Sequence, residues 1–217
     1  MEIFADTANL DEIRELQSWG VIDGCTTNPK IVAKEGADFE KRMKEILKLV
    51  PGPVSIEVTS NDLNPMLAEA KKFAAWKTNA VIKVPMTTNG LKAVQELKKL
   101  GIKTNVTACM SVPQLVLAAK SGATYASFFY SRVGDIGVNP KEVLSKAVAI
   151  YNQHAFTTKI IVGSIRSVDQ ITDIMETGAH VITIPPEFFK KMAQHPKTDE
   201  TIDEFLKFWA EYRKKTA

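Results

Sequence analysis

Eight short apolar, β-branched runs recur along the chain, and amphipathic stretches of helical character alternate with them. The runs occupy residues 2–5, 20–25, 54–58, 80–84, 103–106, 124–129, 159–162 and 180–184. Between them, residues 38–49, 63–75, 91–100, 112–120, 140–151 and 168–176 space their apolar positions three and four apart, the period of an amphipathic helix. Helix signals agree with this division. Asn139-Pro140 reads as an N-cap with proline at the first helical position, and Ser167-Val168-Asp169-Gln170 has capping-box spacing. Gly101, Gly122 and Gly178 stand just past helix ends, where a left-handed residue is favoured. Nearly continuous apolar strands alternating with helices call for a parallel sheet covered on its outer face. Seven units lie between Glu2 and His180 at about 25 residues each, a length suited to compact βα repeats. Eight such units favour a closed (β/α)8 barrel over an open, doubly wound sheet.

The 217 residues fit one large domain or two small ones. No Gly/Ser/Pro-rich linker or change of composition divides them, so a single domain spanning 1–217 is expected. After the eighth unit, residues 186–193 read as a short helix broken at His195-Pro196, and 198–215 as a further helix. Ile202, Phe205, Leu206, Trp209 and Tyr212 stripe one face of that last helix, with Phe208 beside them. Such a stripe packs either on its own barrel bottom or on a neighbouring subunit.

Composition excludes several classes. With 45% hydrophobic and 24% charged residues, the chain is neither disordered nor fibrous. A net charge of +3, with no basic block beyond Arg213–Lys215, argues for neither nucleic acid nor membrane as partner. Any anionic ligand must therefore be met by a few placed cations. Cys25 and Cys109 sit in ordinary contexts that suit a reducing cytoplasm. No leader pattern opens the sequence and no apolar run approaches ~18 residues, so a soluble cytoplasmic globule is expected. The three histidines do not cluster, and no spacing of His, Cys, Asp and Glu resembles a metal site. Dinucleotide and P-loop fingerprints are also missing, so chemistry with neither metal nor cofactor is expected.

In a barrel, inward residues at the carboxyl ends of the strands line the mouth where chemistry occurs. Asp6 ends the first run. Thr26 and Asn28 follow the second in Cys25-Thr26-Thr27-Asn28-Pro29, and Glu57 and Lys83 interrupt the third and fourth. Asn105 and Thr107 alternate on the fifth, Ser127 and Phe129 on the sixth, and Ser164 and Arg166 leave the seventh. Two-residue parity puts each alternating pair on one side. Seven of the eight runs thus deliver a polar group to one place, a convergence more specific than any one residue.

Lys83 is the sharpest of these. A lysine within a buried run is costly unless it is paired or sheds its charge. One reading is an ion pair with Glu57 or Asp6. The other is a neutral amine that attacks a carbonyl and forms a Schiff base. Two carboxylates beside it favour the second, because imine chemistry needs proton carriers. Singly, Asp6 would be a turn or capping residue, Asn28 a turn former and Thr107 an ordinary strand residue. Arg132 and Arg166 follow the sixth and seventh runs, where barrel phosphate sites commonly lie. Guanidinium forks suit phosphate oxygens, and Ser164 adds a hydroxyl. The alternative for each arginine is a salt bridge to Asp135 or Asp169.

These residues resemble the transaldolase family, and within it the short subfamily that also contains the fructose-6-phosphate aldolases. The resemblance covers residues 3 to about 208. It rests on Phe4-Ala5-Asp6-Thr7-Ala8-Asn9, Thr26-Thr27-Asn28-Pro29, Ile82-Lys83-Val84-Pro85, Asn105-Val106-Thr107, Ser127-Phe128-Phe129-Tyr130-Ser131-Arg132, Gly163-Ser164-Ile165-Arg166 and His195-Pro196-Lys197-Thr198-Asp199. It implies a barrel with Lys83 as the Schiff-base lysine and Asp6 as the acid/base beside the scissile bond. Glu57 and Thr107 would hold the proton-shuttling water. Asn28, Asn105 and Ser127 would bind the dihydroxyacetone portion, and Arg132, Arg166 and Ser164 the phosphate, with Thr26 lining the mouth. The subfamily's aldolases carry Gln where Glu57 stands and Tyr where Phe129 stands, which sets this chain with the transaldolases. Phe128 departs from the family's usual Pro, and Tyr130 is bulkier than the usual residue. Sugar phosphates are the implied substrates, and a homo-oligomer, pentamer or decamer, held partly by the C-terminal helix is the implied assembly. Rival readings are an aldolase releasing free dihydroxyacetone, a phosphosugar isomerase or decarboxylase using Asp6 and Lys83 without an imine, and a non-catalytic sugar-phosphate sensor.

Overall fold

The computed structural model describes residues 1–216. Eight parallel strands close into a barrel in sequence order: β1 (Glu2–Asp6), β2 (Gly24–Thr26), β3 (Val54–Glu57), β4 (Ala80–Pro85), β5 (Thr104–Cys109), β6 (Tyr125–Phe129), β7 (Lys159–Gly163) and β8 (Val181–Ile184). The connecting helices are α1 (Leu10–Trp19), α2 (Pro29–Lys34), α3 (Phe39–Leu49), α4 (Leu63–Ala74), α5 (Thr88–Lys99), α6 (Val112–Ser121), α7 (Tyr130–Gly134), α8 (Pro140–Gln153) and α9 (Val168–Glu176). The fold is the α/β barrel expected from the alternation of the sequence. Residues 1–186 form one compact unit and Glu187 onward a second. The second holds α10 (Pro186–Ala193) from its second residue on, and α11 (Pro196–Thr216). On α11, Phe205 is 66% and Trp209 59% exposed, and no described residue of that helix is buried.

Capping chemistry fixes most helix starts. The side-chain oxygens of Asn9, Asp38, Thr87, Ser111, Asn139 and Ser167 each accept a backbone N–H from the first turn of the helix that follows. Gly101, Gly122 and Gly178 take φ of 70, 89 and 75°, the left-handed conformation expected past helix ends.

The structure departs from the sequence pattern most clearly at α1, β2, β5 and the last helix. Gly20, expected to open the second strand, instead closes α1 at φ 70° with its N–H on Gln17 O, so β2 shrinks to three residues. The helix α1 escaped the periodicity because it buries only Ile13 and Leu16 among many polar residues. The strand β5 runs on to Cys109 through a bulge, with Ala108 at φ 63°. The last helix starts at Pro196, ahead of the expected 198, since proline at the first helical position loses no hydrogen bond.

The strand register sets which side chains share the inner face of the barrel. Phe4 pairs with Thr183 and Gly24, Glu57 with Lys83, Lys83 with Asn105, and Ser127 with Ile161. Partners in register share a face. Phe4, Val81, Tyr125, Ile161 and Val181 therefore meet inside the barrel as an apolar plug. Gly24 makes room for it: a Cβ there would stand 2.8 Å from the Phe4 ring. Two residues further along the same strands, the inward positions are Asp6, Lys83, Ser127, Gly163 and Thr183.

Candidate active site

Two adjoining cavities, of about 190 and 440 Å³, open above the plug at the carboxyl ends of the strands. They share Asn28, Lys83, Phe129 and Arg132. The smaller adds Asp6, Thr26, Ser127, Gly163, Ser164 and Thr183; the larger adds Pro29, Lys30, Glu57, Thr107 and Ala108. Ten of the twelve residues singled out from the sequence line one or both.

Lys83 is the hub. Its residue is 6% exposed, and its Nζ lies 3.1 Å from Glu57 Oε2 and donates to Thr27 O at 3.3 Å. The ion pair expected as one alternative is therefore formed. It follows directly from register, because Glu57 and Lys83 are paired neighbours on β3 and β4. The pair gives the amine an immediate proton partner.

Asp6 lines the smaller cavity together with Lys83. Its Oδ1 accepts from Thr26 Oγ1 at 2.8 Å, and Thr26 Oγ1 lies 2.6 Å from Thr183 Oγ1. Loss of water around the carboxyl raises its pKa; the Lys83 charge and the Thr26 hydroxyl pull the other way, and Glu57 adds a smaller upward push. Burial prevails, so Asp6 holds a proton more readily than an ordinary aspartate. Thr107 is 2% exposed, and its hydroxyl has no hydrogen-bond partner among the described residues. The adjacent bulge sets it and Ala108 on the wall of the larger cavity.

Asn28 does two things at once. Its Oδ1 caps α2 by accepting from Ile31 N at 3.0 Å, and the residue borders both cavities. Phe129, at the end of β6, carries the Arg132 guanidinium over its ring at 5.4 Å. Ser164 reaches the cavity from a left-handed residue, φ 62°, just past β7.

Two residues stand apart from the cavity walls. Asn105 is fully buried; its Nδ2 donates to Ser55 Oγ at 3.2 Å and its Oδ1 accepts from Ser127 Oγ at 2.8 Å. It thereby holds Ser127 in place from behind. Arg166 donates from both terminal nitrogens to Asp135, at 2.6 and 2.7 Å. That is the salt bridge weighed above as its alternative. The Arg166 guanidinium holds the Asp135 carboxyl below its usual range.

Thr183, Gly163, Lys30 and Ala108 line the cavities and were not singled out from the sequence. For Thr183 the signal existed. It is the one polar residue of β8, two residues past Val181 as Asp6, Lys83 and Ser127 are two past Phe4, Val81 and Tyr125.

Other candidate chemistry is limited. Cys25 and Cys109 are buried, and burial pushes both thiols up to about 12, so neither supplies a thiolate near neutrality. Among the described residues, no three His, Cys, Asp or Glu side chains gather as a metal site would require. Among them, no helix is long and apolar enough to cross a membrane.

The chain matches the family described as Transaldolase/Fructose-6-phosphate aldolase over residues 3–216. It is 48% identical to a probable transaldolase of Shouchella clausii over 209 residues, 96% of this chain and 97% of that one. It is 47% identical to a probable transaldolase of Desulfotalea psychrophila over 209 residues, covering 96% and 98%. With one from Streptococcus equi subsp. zooepidemicus it shares 45% over 214 residues, covering 99% and 100%.

Proposed function

This chain belongs to the transaldolase/fructose-6-phosphate aldolase family, and on that premise we propose that it is a transaldolase working through a Schiff base on Lys83. The donor is a ketose phosphate, fructose 6-phosphate or sedoheptulose 7-phosphate. A dihydroxyacetone unit passes from it to an aldose phosphate. The observation that carries this reading is the near-complete burial of Lys83 between two carboxylates, Glu57 in an ion pair at 3.1 Å and Asp6 in the adjoining cavity.

The lysine nitrogen adds to the ketose carbonyl after passing its proton to Glu57. The resulting carbinolamine loses its hydroxyl as water when a proton returns, giving an iminium. Glu57 and the unpaired Thr107 hydroxyl hold the water that carries these protons. Asp6 then takes the proton of the hydroxyl on the far side of the scissile carbon–carbon bond. The electron pair of that bond moves into the iminium, leaving an enamine on Lys83 and releasing an aldehyde with its phosphate. The acceptor aldose phosphate enters, and the same steps run in reverse. The raised pKa of Asp6 suits a group that must accept a proton and give it back.

Asn28 and Ser127 bind the dihydroxyacetone portion, with Asn105 behind Ser127. Arg132 and Ser164 meet the phosphate, and Arg166 joins them on leaving Asp135. Transfer rather than release requires that water not protonate the enamine, and Phe129 has no phenol to assist it. Such substrates place the enzyme in the pentose phosphate pathway of the cytoplasm. The exposed apolar residues of α11, Phe205, Leu206, Phe208 and Trp209 among them, support a homo-oligomer, pentamer or decamer, built partly on that helix.

Borohydride added with fructose 6-phosphate should trap a three-carbon adduct on Lys83, visible as a mass increase on the peptide that carries it. Lys83→Met should lose both adduct and activity. An unmodified wild-type protein would reject the covalent mechanism. Product analysis of fructose 6-phosphate with and without erythrose 4-phosphate separates transfer from simple aldol cleavage.

A further inference from the structure

We propose that Thr183, on β8, is a positioning residue for Asp6: its hydroxyl, acting through Thr26, aims a proton at the Asp6 carboxylate and keeps that carboxylate ready to accept one from substrate. The inference rests on the reading above, in which Asp6 is the base.

Thr183 is 5% and Thr26 3% exposed, so neither hydroxyl has bulk water as an easy alternative partner. Thr26 Oγ1 stands 2.8 Å from Asp6 Oδ1 and 2.6 Å from Thr183 Oγ1. A hydroxyl carries one proton. While Asp6 is ionised it can only accept, so Thr26 donates its one hydroxyl proton in a hydrogen bond to Asp6. The short contact between Thr26 and Thr183 must then be filled by the Thr183 proton. The order is fixed: Thr183 donates to Thr26, and Thr26 donates to Asp6. Once Asp6 has taken a proton on Oδ1, the chain can run the other way, with Thr183 as the final acceptor. The three groups therefore have two hydrogen-bonded arrangements, one for each protonation state of Asp6. The charge-assisted arrangement is the stronger, so the relay favours the ionised carboxylate.

The rotamer of Thr183 is held from the side. A Cβ built on Gly163 would lie 3.1 Å from Thr183 Cγ2, so the methyl sits in the space that Gly163 leaves open and the hydroxyl faces Thr26. The other ionisable groups acting on the Asp6 side are Lys83 from β4, Glu57 from β3 and the Cys25 thiol from β2. None of these forms part of the relay.

The test compares wild type, Thr183→Val and Thr183→Ser. Valine keeps the shape and removes the donor; serine keeps the donor and removes the methyl. In the valine variant the acid limb of kcat/KM should move to higher pH by a few tenths of a unit. Its kcat should fall roughly two- to five-fold while KM for fructose 6-phosphate stays within about two-fold. Serine should return both values most of the way to wild type. The Asp6 carboxyl is also titrated without substrate by infrared difference spectroscopy, using Asp6→Asn to assign the band, and its midpoint should rise in the valine variant. An unmoved midpoint in folded Thr183→Val, or a serine variant that behaves as valine does, overturns the proposal. Failure of borohydride trapping in wild type would reject the Schiff-base reading, whereas the infrared titration decides the Thr183 relay on its own.

Discussion

Replacing Asp6 by Asn should make the protein more stable near neutrality while abolishing its activity, and the gain should vanish in acid. The surrounding protein strips water from the carboxyl and raises its pKa even after the Lys83 attraction and the Thr26 hydrogen bond are counted. The folded state therefore binds the Asp6 proton more tightly than the unfolded chain does. Stability falls as pH rises above the ordinary aspartate range, near 3.9, and the loss is complete above the folded midpoint. Asn has nearly the same shape, carries no charge to desolvate, and its amide oxygen can accept from Thr26 as the carboxylate oxygen does. One unit of displacement between the folded and unfolded midpoints corresponds to about 1.4 kcal/mol, and that displacement appears in full as the gain in stability at pH 7–8. For a chain of this size each kcal/mol gained is read as about 2–4 °C in Tm, or roughly half a molar in urea midpoint. The measurement is urea unfolding of wild type and Asp6→Asn at matched pH between 4 and 8. Taking the difference at each pH removes the contribution of every other titrating group. The gap should be widest at the alkaline end and close as pH approaches 4. A variant less stable than wild type at pH 8, or a gap independent of pH, would refute the assignment of a costly, desolvated carboxylate at this position.

Phe129→Tyr puts a phenol on the shared wall of both cavities, within reach of the enamine. Free dihydroxyacetone should rise at the expense of transfer, and an unchanged product ratio by chromatography would count against the role given to Phe129. Asp135→Asn removes the bidentate partner of Arg166. Because exposed ion pairs are weak, KM for fructose 6-phosphate should drop by no more than about five-fold with kcat unchanged; a rise in KM would mean that Asp135 orients the guanidinium instead of competing for it. Phe205→Glu with Trp209→Glu on α11 should lower the assembly state seen by sedimentation velocity, and an unaltered sedimentation coefficient would rule out that helix as a subunit contact.

The barrel itself was legible because its signal is repeated. Eight apolar runs and their intervening helices tolerate errors of a few residues, and those errors fell where local chemistry overrode pattern. Gly20 lies beside an apolar run but serves as the left-handed end of α1. Val106-Thr107-Ala108-Cys109 contains nothing that marks a bulge, since alanine is not a residue that usually takes φ 63°. Lys83 and Glu57 were legible from parity, and the same parity would have found Thr183. Arg166 and Asp135 were harder. They are 31 residues apart on different loops, and only the closed structure brings the fork onto the carboxylate. Asn105 was assigned to the mouth by its position late in a strand, but its amide is consumed between Ser55 and Ser127. Periodicity tells which way a side chain faces and cannot tell how much of it another side chain covers.

Five strands change character at the same level of the barrel, and that step accounts for how a buried lysine is tolerated. Phe4 is followed two residues on by Asp6, Val81 by Lys83, Tyr125 by Ser127, Ile161 by Gly163, and Val181 by Thr183. Below the step lies a close-packed apolar plug, which shuts water out from beneath. Above it, small residues such as Gly163 and Ser127 leave the room that the cavity occupies. Charges at that level face low-dielectric protein on one side and the mouth on the other, so the interaction of Lys83 with Glu57 is stronger than it would be on the surface. The expense of burying these charges falls on one level, and it is offset by the plug and by the apolar faces of the helices rather than by the charges' own pairing. Stability and chemistry are therefore carried by alternate inward residues of the same strands. A change in the plug should alter Tm before it alters the pH profile, and a change one level higher should do the opposite.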